Sequence, residues 1–232
     1  MKITVINGQN HKGTSYHMGS ILAEKLSRKE VITEFFLPKD LDHFCLGCYS
    51  CVEDETRCPF WTQKKVIMDA MEQADLLIFT SPNYCLAPSG AMKSFLDLFF
   101  DIWMVHRPKK WMFHKRAVIL TASAGAAGGG VIRVIRDSLA GWGISYIKSY
   151  AKAVQATNWD MVKPEKKAQI EKDLEQMARK TDWGKPAETG IRTMGMFTLM
   201  KKMHEAGWDS SPVEKKYWIE QGWMKEKKVH EI

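Results

Sequence analysis

Long hydrophobic runs are missing from this chain: no stretch approaches the roughly 18 apolar residues that a membrane span requires. The opening "MKITVING" also lacks the apolar core and small-residue cleavage site of a secretory signal, so a cytoplasmic protein is expected. Internal repeats are absent, and low complexity is confined to a small "GAAGGG". Neither the G-x-G-x-x-G dinucleotide fingerprint nor a P-loop occurs. No nucleic-acid reading module can be found either, although the net charge is +7. The lysines are scattered, with local clusters at Lys64–Lys65, Lys109–Lys110, Lys166–Lys167, Lys201–Lys202 and Lys225–Lys228. Most fall in helix-like segments and read as solvated polar faces. Nucleic acid is therefore set aside as a partner; the basic balance suits small anions such as phosphates and nucleotides.

Cysteine is scarce except in one place. Four of the five fall within "CLGCYSCVEDETRC", as Cys45-x2-Cys48-x2-Cys51-x6-Cys58. In a reducing compartment, clustered thiols point to metal or redox chemistry rather than to staples. Zinc fits poorly, because its structural sites generally use two separated pairs of ligands. Three thiols in seven residues with a fourth close by suit the four irons of a cubane cluster. Unligated thiols that shape the loop remain the alternative.

What is present suggests an α/β protein. Apolar runs at 2–7, 31–37, 74–81, 116–123 and 144–154 alternate with helix-spaced stripes. The stripes are Met18/Ile21/Leu22/Leu26, Ile67/Met71/Ala74, Leu96/Phe99/Phe100, Val131/Val134/Ile135/Leu139 and Ile170/Leu174/Met177/Ala178. Several runs are almost continuously apolar, as in parallel strands buried on both faces. Five alternations predict a five-stranded, doubly wound sheet over residues 1–183. Beyond Trp183, "GKPAETG" reads as a linker to a helical tail, 184–232. That tail carries Met196, Phe197, Met200, Met203 and His204 on one face, then a helix capped by Ser211 with Pro212 behind it. It is too small to own a core, so it is expected to pack on the domain or on a partner subunit.

In such a sheet, ligands bind beyond the carboxyl ends of the strands. Three loops there carry chemistry. "NGQNHKGTSYH" leads into a helix whose free N–H groups, Thr14 and Ser15 hydroxyls and nearby His11 and Lys12 suit a phosphate; a plain capped turn is the alternative. "SPNYCLAPSG" sets Pro82 and Tyr84 where they could wall a flat aromatic ligand. "TASAGAAGGG" is nearly free of side chains, so something can approach its backbone closely. His106 and His114 read as surface residues, and Trp103, Trp111, Trp142 and Trp183 as packing.

Together the loops resemble the flavodoxin-like NAD(P)H-dependent FMN reductases and iron–sulfur flavoproteins. The first, Gly8-Gln9-Asn10-His11-Lys12-Gly13-Thr14-Ser15-Tyr16, stands where the family has G-S-P-R-x-x-S-N-T. The second matches S-P-x-Y…S-x-x-M-K…D through Ser81, Pro82, Tyr84, Ser89, Met92, Lys93 and Asp97. The resemblance implies strand order 2-1-3-4-5 and an FMN-dependent oxidoreductase. Its electrons would come from NAD(P)H and pass to a quinone, flavin, nitro compound or similar acceptor. By the same resemblance Gln9, His11, Thr14, Ser15 and Tyr16 surround the FMN phosphate. Pro82, Asn83, Tyr84 and Cys85 line the ring, and Ser123, Ala124 and Gly125 close its far edge. His11 replaces the usual arginine, exchanging a permanent charge for one that titrates near neutrality. The cysteine spacing resembles that of the iron–sulfur flavoproteins, whose [4Fe–4S] centre would use Cys45, Cys48, Cys51 and Cys58 and pass electrons to a redox protein. A homodimer or homotetramer is implied. A redox sensor acting through a partner is the non-enzymatic reading.

Overall fold

The computed structural model describes residues 1–27, 31–125 and 127–224. Ala126 of the glycine-rich loop, the Lys225–Lys228 cluster and the end of the tail lie outside the described residues. In chain order the elements are β1 (Ile3–Asn7), α1 (Thr14–Ser27), β2 (Ile32–Phe36), α2 (Ser50–Glu53) and α3 (Trp61–Gln73). Then come β3 (Leu76–Tyr84), β4 (Ala87–Pro88), α4 (Gly90–Leu98), β5 (Arg116–Ser123), α5 (Gly129–Gly141) and β6 (Tyr146–Ala153). The helices α6 (Pro164–Arg179), α7 (Ile191–Glu205) and α8 (Pro212–Glu220) complete the series.

The parallel strands run in the order β2-β1-β3-β5-β6, while the two-residue β4 pairs antiparallel with the end of β3. Without β4 this is the expected 2-1-3-4-5 order. The central strands β1, β3 and β5 are buried along nearly their whole length, which is why their sequences are apolar without alternation. Met18 and Leu22 of α1 join Ile170 and Leu174 of α6 on one face. On the other, Ile67 of α3, Phe95 of α4 and Val131, Ile135 and Leu139 of α5 pack around Trp142. Two covered faces make the sheet doubly wound. Among the described residues no helix is long and apolar enough to cross a membrane.

The tail packs on this domain. Phe197, Trp218 and Trp223 are buried against Met104 and Phe113, and burial of each such ring stabilises by about 1.5–3 kcal/mol. Ser211 caps α8 and Glu214 completes a capping box, as the Ser-Pro start suggests. Trp208, by contrast, is 72% exposed, beyond the end of α7. His106 is not a free surface residue. Its Nδ1 lies 2.5 Å from Glu214 Oε1, and its carbonyl accepts from Trp218 Nε1 at 3.0 Å.

Burial pushes the Glu214 carboxyl up, but the hydrogen bond and charge of His106 and the Ser210 and Ser211 N–H groups together hold it below its ordinary 4.5. A depressed carboxylate stabilises fully above that ordinary value, and the contribution is lost as pH falls through the folded value. Below about pH 4.5, fluorescence of Trp218 and Trp223 should therefore report loosening of the tail. Glu214→Gln should flatten the response in that window; an unchanged acid profile would refute the assignment.

Candidate functional site

A cavity of ≈ 350 Å³ opens where β1, β3 and β5 end. That volume is within the usual range for a small-molecule or cofactor site. Ten expected residues line it: Gln9, His11, Thr14, Ser15 and Tyr16 from the first loop, Pro82, Asn83 and Tyr84 from the second, Ser123 and Ala124 from the third. At one end stands the N-terminus of α1, whose first turn carries no acidic side chain. His11 folds back over Gly13, where a Cβ would sit 2.9 Å from His11 Nε2. Ser15 Oγ accepts from the Ala122 N–H at 3.1 Å, tying α1 to β5.

Two expected residues do not line the cavity. Cys85 sits with Leu86 at the tip of the β3–β4 hairpin, exposed, at φ 51° and 63°. Two successive positive φ values define the tight hairpin turn that normally recruits glycine or asparagine. Gly125 is also outside the lining. The glycine-rich loop does permit a close approach, but what approaches Gly130 is the hairpin: a Cβ there would lie 1.9 Å from the Leu86 carbonyl oxygen. Asn83 Nδ2 donates to the Ala127 carbonyl at 3.0 Å and pins the same hairpin.

Sequence reasoning missed Asn7, Thr80, Ala156 and Thr157, all of which line the cavity. Asn7 had a readable signal, a polar amide closing the apolar run "ITVIN" at the carboxyl end of β1. Its carbonyl accepts from Thr80 Oγ1 at 2.9 Å, whereas its Nδ2 is buried without a partner among the described residues. Asn83 Oδ1 is likewise buried and unpartnered.

The four clustered cysteines meet elsewhere. Cys45, Cys48, Cys51 and Cys58 line one small cavity, walled by Leu46, Tyr49, Pro59, Phe60, Leu98 and Phe100. Burial pushes the Cys51 thiol up to about 11, Asp101, Cys58 and Cys45 adding to it while Lys64 opposes. Exposed Cys48 is held below the usual thiol value by hydrogen bonds from Ser50. Among the described residues, no group of three or more His, Cys, Asp or Glu is disposed to hold a metal ion. This holds for zinc and for an iron–sulfur centre alike. What the loop offers is donor type alone: four thiols beside apolar walls.

The family profile for NADPH-dependent FMN reductase matches residues 1–158. The chain belongs to that family. Its sequence is also 24% identical over 98 residues to an iron-sulfur flavoprotein of Archaeoglobus fulgidus, covering 42% of this chain and 48% of the relative. The chain thus spans about half the length of the curated relative it matches. Solved structures share its fold. An NAD(P)H:quinone oxidoreductase from Methanothermobacter marburgensis superposes with a TM-score of 0.58 at 13% identity, covering 78% of this chain and 93% of that one. An FMN-dependent NADH-azoreductase from Bacillus anthracis, solved in complex with FMN, gives 0.55 at 13% identity over 78% and 99%.

FMN, the cofactor of the FMN reductase family, would need a phosphate site at one end of the first cavity and room for a flat polar ring at the other. The α1 N-terminus supplies unpaired N–H groups and partial positive charge for the phosphate. Pro82 and Tyr84 supply apolar and aromatic surface against which a flat ring can pack. The residues present fit the cofactor.

Proposed function

We propose that the protein holds FMN in the first cavity and carries electrons from NADH or NADPH to a small-molecule acceptor such as a quinone, a flavin or a nitro compound. The observation that carries this reading is a cavity at the carboxyl ends of β1, β3 and β5 that ends at the acid-free N-terminus of α1 and is lined by Thr14, Ser15, Pro82 and Tyr84. Gln9, His11, Thr14, Ser15 and Tyr16 would bind the phosphate; Pro82, Asn83 and Tyr84 would orient the ring, and Ser123 and Ala124 would close its edge. Cys85 and Gly125 would act only by shaping their loops.

When bound, FMN supplies the two-electron chemistry, so no lining side chain is required as acid or base. The chain's task is to hold the ring with one face open. Donor and acceptor would use that face in turn, giving ping-pong kinetics. We read the working form as a cytoplasmic homodimer or homotetramer. Mixing purified protein with FMN should quench flavin fluorescence to an endpoint of one FMN per chain, after which NADH or NADPH should be oxidised with a quinone present. Fluorescence left unquenched on mixing would sink the proposal.

A second reading adds the cysteine cavity. The convergence of four thiols from one loop, together with the Archaeoglobus relative's name, favours a [4Fe–4S] cluster held by Cys45, Cys48, Cys51 and Cys58. Electrons would then leave for a redox protein instead of a small acceptor. Iron and sulfide bound after anaerobic reconstitution, and lost in Cys48→Ser with FMN retained, would support it. A wild type that takes up no iron would end it.

A further inference from the structure

The cysteine loop is held from outside by two other segments. Ser211, the cap of α8, donates its hydroxyl to Glu53 Oε1 at 2.8 Å, so the end of α2 is tied directly to the tail. Lys109 Nζ reaches Glu55 Oε2 at 2.6 Å. Arg107 Nη2 donates to the carbonyl of Cys51 itself. Residues 106–109 are in turn fixed by α8: Tyr217 donates to the Pro108 carbonyl at 2.7 Å and Trp218 to that of His106. The His106 ring stands edge-on to Phe100, 5.3 Å between centroids, and Phe100 walls the cysteine cavity. Every tie either starts on α8 or passes through a strap that α8 anchors. None of them touches a residue lining the flavin cavity.

We propose that α8 and the 106–109 strap form a clamp that positions the four thiols, with Glu53 and Lys109 as its positioning residues. Of this device, α8 lies beyond the matched family segment, whereas the 106–109 strap and Glu53 lie within it. The clamp rests on reading the four cysteines as a working site. Its physical content is that Cys51, only 7% exposed, is kept covered and turned inward by contacts made beyond its own loop. A four-residue helix such as α2 has too few hydrogen bonds to hold itself, and Tyr49 before it sits at φ 58°, so outside ties are what order it.

The test compares paired variants in iron-free protein. Glu53→Ala with Lys109→Met removes two ties at side chains that are not part of the core. Glu53→Gln with Lys109→Arg keeps an acceptor for Ser211 and a cation for Glu55. Modification by a thiol-reactive disulfide reagent, resolved by peptide mass, gives the rate at Cys51. The first pair should raise that rate about tenfold, as expected when opening a local segment becomes easier, and the second should restore it. FMN content should be the same in all three proteins. An unchanged Cys51 rate in the first pair, or no rescue in the second, overturns the clamp. Anaerobic reconstitution is run in parallel: where wild type binds iron, the first pair should retain less of it. A wild type without iron ends the cluster reading, while the labelling rates alone decide the clamp.

Discussion

Replacing Thr14 by glutamate should abolish FMN retention while leaving the fold intact. Thr14 is the first residue of α1 and lines the cavity at the end where the phosphate would sit. A carboxylate there does two things. It occupies the positive end of the helix that the phosphate needs, and it faces a dianion at close range. At about 5 Å and an effective dielectric near 20, repulsion per charge pair is about 3 kcal/mol, roughly a hundredfold in affinity. Thr14→Ser keeps a hydroxyl without charge and should bind nearly as wild type. Fluorescence titration measures both, and thermal melting monitored by circular dichroism checks that α1 still packs. Equal FMN affinity in the glutamate variant would remove the phosphate from this end of the cavity.

How far the sequence alone reaches can be judged from individual residues. The sheet was legible because β1, β3 and β5 are buried on both faces, so their apolar character is continuous and hard to mistake. The start of α8 was legible for a local reason: Ser211 accepts a backbone N–H inside the helix's own first turn. The β3–β4 hairpin was not, since "YCLA" lacks the glycine or asparagine that normally announces two positive φ values. Its conformation is imposed by packing on Gly130, which no local pattern reveals. The glycine-rich loop showed the right property, a backbone open to close approach, without showing that part of the chain itself would approach. In the same way Asn7 is one polar letter at the end of an apolar run. Its unused donor becomes visible only when Thr80, brought alongside by the β1–β3 pairing, takes its carbonyl.

Lys64 is where the sequence misleads most, and its removal should have the largest effect on stability. Beside Lys65 it looks like half of a solvated pair, yet Lys64 is fully buried while Lys65 pairs with Asp69 at the surface. The cause lies 37 residues on. Asp101, 1% exposed in the turn after α4, takes the Lys64 ammonium as an ion pair, and the ammonium also lies 5.1 Å from the centre of the Phe99 ring. Lys64 pairs with Asp101 Oδ1, and Asp101 Oδ2 has no hydrogen-bond partner among the described residues. Lys64→Met would leave that carboxylate buried and uncompensated, a change that costs about 3–5 kcal/mol. Lys64→Met with Asp101→Leu removes both charges and should recover most of the loss, because a buried pair is worth little more than an apolar pair of similar volume. Urea denaturation of the single and double variants measures this. A single variant within about 1 kcal/mol of wild type, the scatter expected for an ordinary surface substitution, would show that the pair is not the buried support described. The same two charges act in opposite senses on Cys51, Asp101 raising its thiol and Lys64 lowering it. Lys64→Met should therefore also shift alkylation of Cys51 to higher pH, and the double variant should bring it back toward wild type. The stability of the core and the state of the cysteine cavity thus depend on one lysine that reads as solvent-facing.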